Sequence, residues 1–90
     1  MSITDNPITI EILSGETVTV PSDATWVGTI TLSSGTSGNP ELEINGVGTF
    51  RYTDDDSPHQ YRKLVFEGGT VIEEISGGTT ANAFFTGFEL

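Results

Sequence analysis

The sequence predicts an all-β domain, an antiparallel sandwich or small barrel of about eight short strands, and three observations carry that expectation. Apolar residues recur at period two: Ile8, Ile10 and Ile12 alternate with Thr9 and Glu11, and Trp26, Ile30 and Leu32 alternate with Val27, Thr29 and Thr31. The residues that fill these runs are largely β-branched, stiff at χ1 and suited to a pleated surface. Clusters of Gly, Pro, Asn and Ser interrupt any helical period, so no segment offers a credible helix.

Taken in order, the strands are expected near 8–13, 17–20, 25–32, 41–45, 48–53, 60–67, 70–75 and 82–89. Ser14-Gly15-Glu16 is a tight reversal, and Pro21-Ser22-Asp23 supplies a fixed φ followed by a side chain able to bond its own backbone. Ser33 to Pro40 is the longest polar loop and reads as a plain connection. Asn45-Gly46 is the strongest hairpin signal. A strict two-residue turn there pairs Ile44 with Val47 and sets Phe50 and Tyr52 on the face of Glu41 and Glu43. One extra residue, absorbed at Gly46 or Gly48, returns them to the face of Leu42 and Ile44, and burial favours that bulge. Gly68-Gly69 turns the next pair, and Gly77-Gly78 leads to the last strand. There Phe84, Thr86, Phe88 and Leu90 share one face. With Phe84 and Phe88 in the core, Phe85 is expected to look outward as a subunit contact or beneath a loop.

Composition bounds what such a domain can do. Thirteen acidic residues face three basic ones, Arg51, Arg62 and Lys63, a formal net charge of −10 on 90 residues. Nucleic acid is a poor partner for that charge. The balance fits an ordinary solvated acidic surface and equally a halophilic one, because at 1 M salt the Debye length shrinks to about 3 Å. Ninety residues make one domain that buries only about 60 to 65% of its unfolded surface, so neighbouring subunits are a plausible source of further stability. Cysteine is absent, which excludes disulfides and thiolate metal sites. The polar start and the lack of any apolar run of ~20 residues give the expectation of a soluble chain without a leader or a membrane-spanning segment.

Chemistry is sparse. His59 is the one histidine, and a nucleophile and base pair would need Ser57 or Tyr61 beside it with Asp54, Asp55 or Asp56 as orienter, an arrangement that loop neighbours rarely make. The Asp54-Asp55-Asp56 run could give two or three oxygens to a hard structural cation, although its spacing departs from the EF-hand; as a charge run at a hairpin tip it is more simply solvated. Trp26, Tyr52 and Tyr61 could form an aromatic platform for sugar, and in so small a core they could equally be packing. The expectation is a protein that is not an enzyme and has no cofactor beyond that possible cation.

Four stretches, Val18-Thr-Val-Pro-Ser-Asp-Ala-Thr-Trp26-Val-Gly-Thr-Ile30, Ile44-Asn-Gly-Val47, Leu64-Val-Phe-Glu-Gly-Gly-Thr-Val-Ile72 and Ile75-Ser-Gly-Gly78 running to Phe85-Thr-Gly-Phe-Glu-Leu90, resemble small β-rich virion proteins of tailed viruses. These are capsid decoration, turret or head-fibre subunits, and the acidic balance looks like the versions from viruses of halophilic archaea. The resemblance implies a jelly-roll-like sandwich over residues 8–90 that assembles as a homotrimer or pentamer with other capsid proteins on the virion surface. Residues 1–7 would then be an N-terminal arm, with Ile3 and Pro7 as contacts to the shell or a neighbour alongside Phe85. The alternative from another class is a carbohydrate- or receptor-binding sandwich, which calls for Trp26 or the tyrosines exposed in a groove.

Overall fold

The computed structural model describes residues 6–33, 40–52, 58–76 and 82–90. Eight strands run through them: β1 (Pro7–Ile12), β2 (Thr17–Thr19), β3 (Trp26–Ser33), β4 (Glu41–Ile44), β5 (Val47–Arg51), β6 (His59–Phe66), β7 (Val71–Glu74) and β8 (Asn82–Glu89). Pro7 opens β1 and so belongs to the sheet, one residue earlier than an arm ending at Pro7 would have it. Ile3 lies outside the described residues.

The chain first reads as one long antiparallel ribbon folded back at its middle. β1 pairs with β8, β2 with β7, β3 with β6 and β4 with β5, all antiparallel. The ribbon is then rolled, because β8 also pairs with β3 and β7 also pairs with β4. Two four-stranded sheets result, sheet A in the order β1-β8-β3-β6 and sheet B in the order β2-β7-β4-β5. This is the jelly-roll arrangement of eight strands.

The tip of the ribbon is Asn45-Gly46, with φ of 54° and 83°. A two-residue turn needs positive φ at both positions to match the strand twist, which Gly adopts freely and Asn tolerates. Asn45 is further held by β7: its N–H donates to the Val71 carbonyl at 2.8 Å and its Oδ1 accepts from the Val71 N–H at 2.9 Å. A bulge is present beside this turn, as burial requires, but at Thr49 and not at Gly46 or Gly48. Ile44 pairs with Val47 and Glu43 with Gly48, after which Leu42 pairs with Phe50, so Thr49 is the extra residue and Phe50 is buried.

A second bulge lies in β6, unannounced by the sequence. Gly28 pairs with Leu64 but Ile30 pairs with Tyr61, so Thr29 faces both Arg62 and Lys63, and Lys63 takes a φ of 61°. Tyr61 and Leu64 both pack against the core although three residues apart, a spacing that period two forbids without one added residue.

The core lies between the sheets and contains Ile12, Val20, Trp26, Ile30, Leu32, Leu42, Phe50, Phe66, Ile72 and Phe85, with Ile8, Ile10 and Val18 packed against it. Phe85 corrects the sequence expectation: it is fully buried, and Phe84 and Phe88 take the outer face. The reason is that β8 is a central strand. Phe85 is paired with Ile10 on one side and Ile30 on the other, and its ring stacks on Trp26 at 5.6 Å and tilts against Phe66 at 5.8 Å.

β3 and β8 place glycine opposite glycine, Gly28 against Gly87. A Cβ on Gly28 would fall on the Thr86 carbonyl oxygen and within 2.7 Å of the Gly87 Cα, and one on Gly87 would fall on the Val27 carbonyl oxygen. Backbone cannot move aside as a side chain can. Gly28→Ala or Gly87→Ala is therefore expected to cost about 3 kcal/mol or more, at the upper end of overpacking effects. Gly48→Ala, whose Cβ would meet only Glu41 Oε2 at 3.5 Å, is expected to change stability far less. Urea titration of the three variants checks the contrast.

Candidate functional site

Trp26 and Tyr52 do not form a sugar platform. Both are core residues, 5% and 4% exposed. Trp26 opens β3 with its ring directed inward, the frame shared with Ile30 and Leu32, and its Nε1–H donates to Glu89 Oε2 at 2.8 Å. A buried indole needs such an acceptor, and Glu89, paired with Trp26 across β3 and β8, is placed by register to supply it. Tyr52 follows β5, and its ring lies 4.7 Å from that of His59. Tyr61 is half-buried: its ring tilts against Phe50 at 4.7 Å across the two sheets, and its hydroxyl donates to the Arg51 carbonyl at 3.2 Å. The aromatics are thus packing, because a thin sandwich has few other side chains large enough to span it.

His59 is the first residue of β6, half-buried against Tyr52. Ser57 and the run Asp54, Asp55 and Asp56 lie outside the described residues. Among the described residues no group of three His, Asp or Glu side chains is placed to hold a metal ion, and no helix is long and apolar enough to cross a membrane.

A cleft of about 290 Å³ opens on the outside of sheet B, lined by Glu41, Gly48, Phe50 and Arg51. It exists because Gly48 has no side chain beside the bulge. Across it Arg51 Nη2 donates to Glu41 Oε2 at 3.3 Å, an exposed ion pair worth about 0 to 1 kcal/mol. One paired acid and base can tie β5 to β4, but it brings no nucleophile to the cleft.

The least expected polar residue is Glu74. It is 1% exposed, on the inward face that Ile72 sets in β7 and opposite Leu42 of β4. Its Oε2 accepts from the Glu41 N–H at 2.9 Å and its Oε1 from the Ser76 N–H at 2.7 Å. Its own backbone takes the N–H of Gly15 and donates to the Glu16 carbonyl. One residue therefore ties the turn before β2, the start of β4 and the end of β7 together. Every buried side-chain oxygen or nitrogen among the described residues has a partner, which is what makes a buried carboxylate tolerable. The sequence did hold a signal for it, since period two from Ile72 carries Glu74 inward.

Comparison with protein-family models, with curated proteins and with solved structures finds no match to this chain.

Glu74→Ala should destabilise the fold by about 3 kcal/mol, because it leaves two amides without acceptors and removes buried volume. Glu74→Gln keeps an acceptor oxygen and should lose clearly less; chemical denaturation measures both. Phe85→Ser, which an outward ring would make an assembly variant, should instead unfold the domain or cost about 3 to 5 kcal/mol. Trp26 fluorescence should resist an aqueous quencher and stay unchanged on adding oligosaccharide, and a sugar-dependent shift would return Trp26 to a binding role.

Proposed function

We propose that the protein is a structural subunit of a virus particle, a jelly-roll module that decorates the capsid or projects from it as part of a turret or fibre. The observation that carries this reading is the strand order β1-β8-β3-β6 facing β2-β7-β4-β5 around a filled interior. Jelly rolls occur in viral capsid proteins, in lectin domains and in cupins, so strand order by itself does not choose among roles. Two further features favour the structural one. The space between the sheets is taken up by Ile12, Ile30, Leu32, Leu42, Ile72 and Phe85, each fully buried, instead of enclosing a ligand. The aromatics that a sugar-binding face would display, Trp26 and Tyr52, are spent on the core. In this reading the protein performs no catalysis, and its partners are other capsid proteins at the virion surface. The net charge of −10 fits a particle exposed to concentrated salt.

The test is to add the purified chain to tailed-virus particles of its source that have been stripped of peripheral proteins, and to follow both through a density gradient. The expected outcome is co-migration, with quantitative mass spectrometry reporting many copies per particle in the untreated virus. Recovery of the chain only in the soluble fraction of infected cells would refute the reading.

A further inference from the structure

The register of sheet A arranges its outer face in rows. Pro7, Phe88, Val27 and Val65 are paired in sequence across β1, β8, β3 and β6, and form an apolar row from one edge of the sheet to the other. Val65 is 64% exposed, Pro7 is exposed, and Phe88 and Val27 are partly open. The next row is Thr9, Thr86 and Thr29, ending at the bulged pair Arg62 and Lys63. The third is Glu11, Phe84, Thr31 and Gln60. Arg62 is held along this edge by the hydrogen bond its Nη2 donates to Gln60 Oε1 at 2.6 Å.

The charge on this face is the reverse of the protein's. Two of the three basic residues of a chain with 13 acids lie on it, and within its described strands Glu11 is the one acid, with Glu67 in the turn beyond β6. The outer face of sheet B instead sets Glu43 directly opposite Glu73, with Glu41 nearby. Of the two outer sheet faces, as far as the described residues define them, that of sheet A lets two copies approach without bringing carboxylates against carboxylates.

We propose that the outer face of sheet A is the docking surface for a second copy of this chain, in a two-fold, back-to-back packing of the two sheets. A two-fold axis along the strands, between β8 and β3, lays β1 of one copy over β6 of the other and β8 over β3. Each apolar row then covers the other, and Glu11 of each copy faces Gln60 of its mate, one row along from Arg62 and Lys63. Such a contact is self-complementary, as two-fold symmetry requires, and aligned sheets pack about 10 Å apart. Four strands at about 4.8 Å spacing and roughly 25 Å length offer roughly 450 Å² per copy. That is below the ≈ 800 Å² per partner of standard stable interfaces, so the dimer is weak and concentration-dependent. This inference does not rest on the virion reading.

The test is sedimentation velocity of the whole chain over a range of protein concentrations from about 0.05 to 3 M NaCl. A monomer–dimer equilibrium that shifts toward dimer as salt rises is expected, because screening weakens the repulsion between two bodies of −10 more than it weakens apolar contact. Val65→Asp should weaken dimerisation at least tenfold. Val47→Asp, equally exposed at 64% but at the β4–β5 tip, should leave it unchanged. Glu11→Lys should weaken the dimer, and adding Lys63→Glu should restore it. Because the chain has no cysteine, a single cysteine at Thr86 should link copies through a short bismaleimide, and one at Thr17 on sheet B should not. Circular dichroism confirms that each variant is folded, and the cysteine pair reads the same face should an aspartate variant unfold. A monomer under all conditions, equal effects of Val65→Asp and Val47→Asp, or equal linking from Thr86 and Thr17 would overturn the proposal.

Discussion

The structure depends on β8 pairing twice. A ribbon with β1 on β8, β2 on β7, β3 on β6 and β4 on β5 has two long edges and one apolar face with nothing to cover it. When β8 takes β3 as its second neighbour, an eight-residue register from Trp26–Glu89 to Ser33–Asn82 turns that ribbon into a closed sandwich. Glycines at positions 28 and 87 permit the contact, since either Cβ would strike the opposing backbone. The consequences spread from there. Phe85 is flanked on both sides and must be buried, Trp26 is brought to the Glu89 carboxylate, and the outward residues of four strands come into register as rows.

Two bulges reconcile that pairing with a chain whose apolar residues drift out of phase. In β5 the added residue returns Phe50 to the face of Leu42; in β6 it lets Tyr61 and Leu64 both face inward. The second costs more, because Lys63 adopts the left-handed region that disfavours a side chain by about 1 to 2 kcal/mol. Against that stands the apolar surface that Tyr61 and Leu64, both partly buried, keep packed on the core. The bulge also sets Arg62 and Lys63 side by side at the sheet edge, where a regular strand would send them to opposite faces.

Most of the strand pattern was legible in the sequence because period two and the Asn45-Gly46 turn are local signals, each readable without knowing a partner. The identity of the inward face of β8 was not. Its sequence Ala83-Phe-Phe-Thr-Gly-Phe-Glu-Leu90 carries aromatics in both frames, and counting them favours Phe84 and Phe88 over Phe85. What decides is the neighbour on each side, Ile10 and Ile30, together with Gly87 falling opposite Gly28, and these are facts of pairing. The β6 bulge was hidden for the same reason. The aromatics are ambiguous in another way: in the sequence Trp26 and Tyr52 fit display and packing alike, and only burial separates the two. The apolar row across sheet A contains one residue from each of four strands distant in sequence, so no window of the chain contains it.

The uneven placement of charge follows from the same topology. Sheet B draws its outer face from β4 and β7, whose sequences Glu41-Leu-Glu-Ile44 and Val71-Ile-Glu-Glu74 put Glu41, Glu43 and Glu73 outside, while the remaining carboxylate of these strands, Glu74, is turned in and used as an acceptor. Directly opposed like charges such as Glu43 and Glu73 are destabilising in a sheet, by a few tenths of a kcal/mol up to about 1. A lysine at either position would turn that repulsion into attraction. The pair makes that face repulsive to another like it, whereas the described outer face of sheet A is threonine and apolar residues with Gln60, one acid, Glu11, and two cations. The described charge is therefore two-sided: carboxylates stand opposed on the outside of sheet B, while the outside of sheet A sets one acid against two cations.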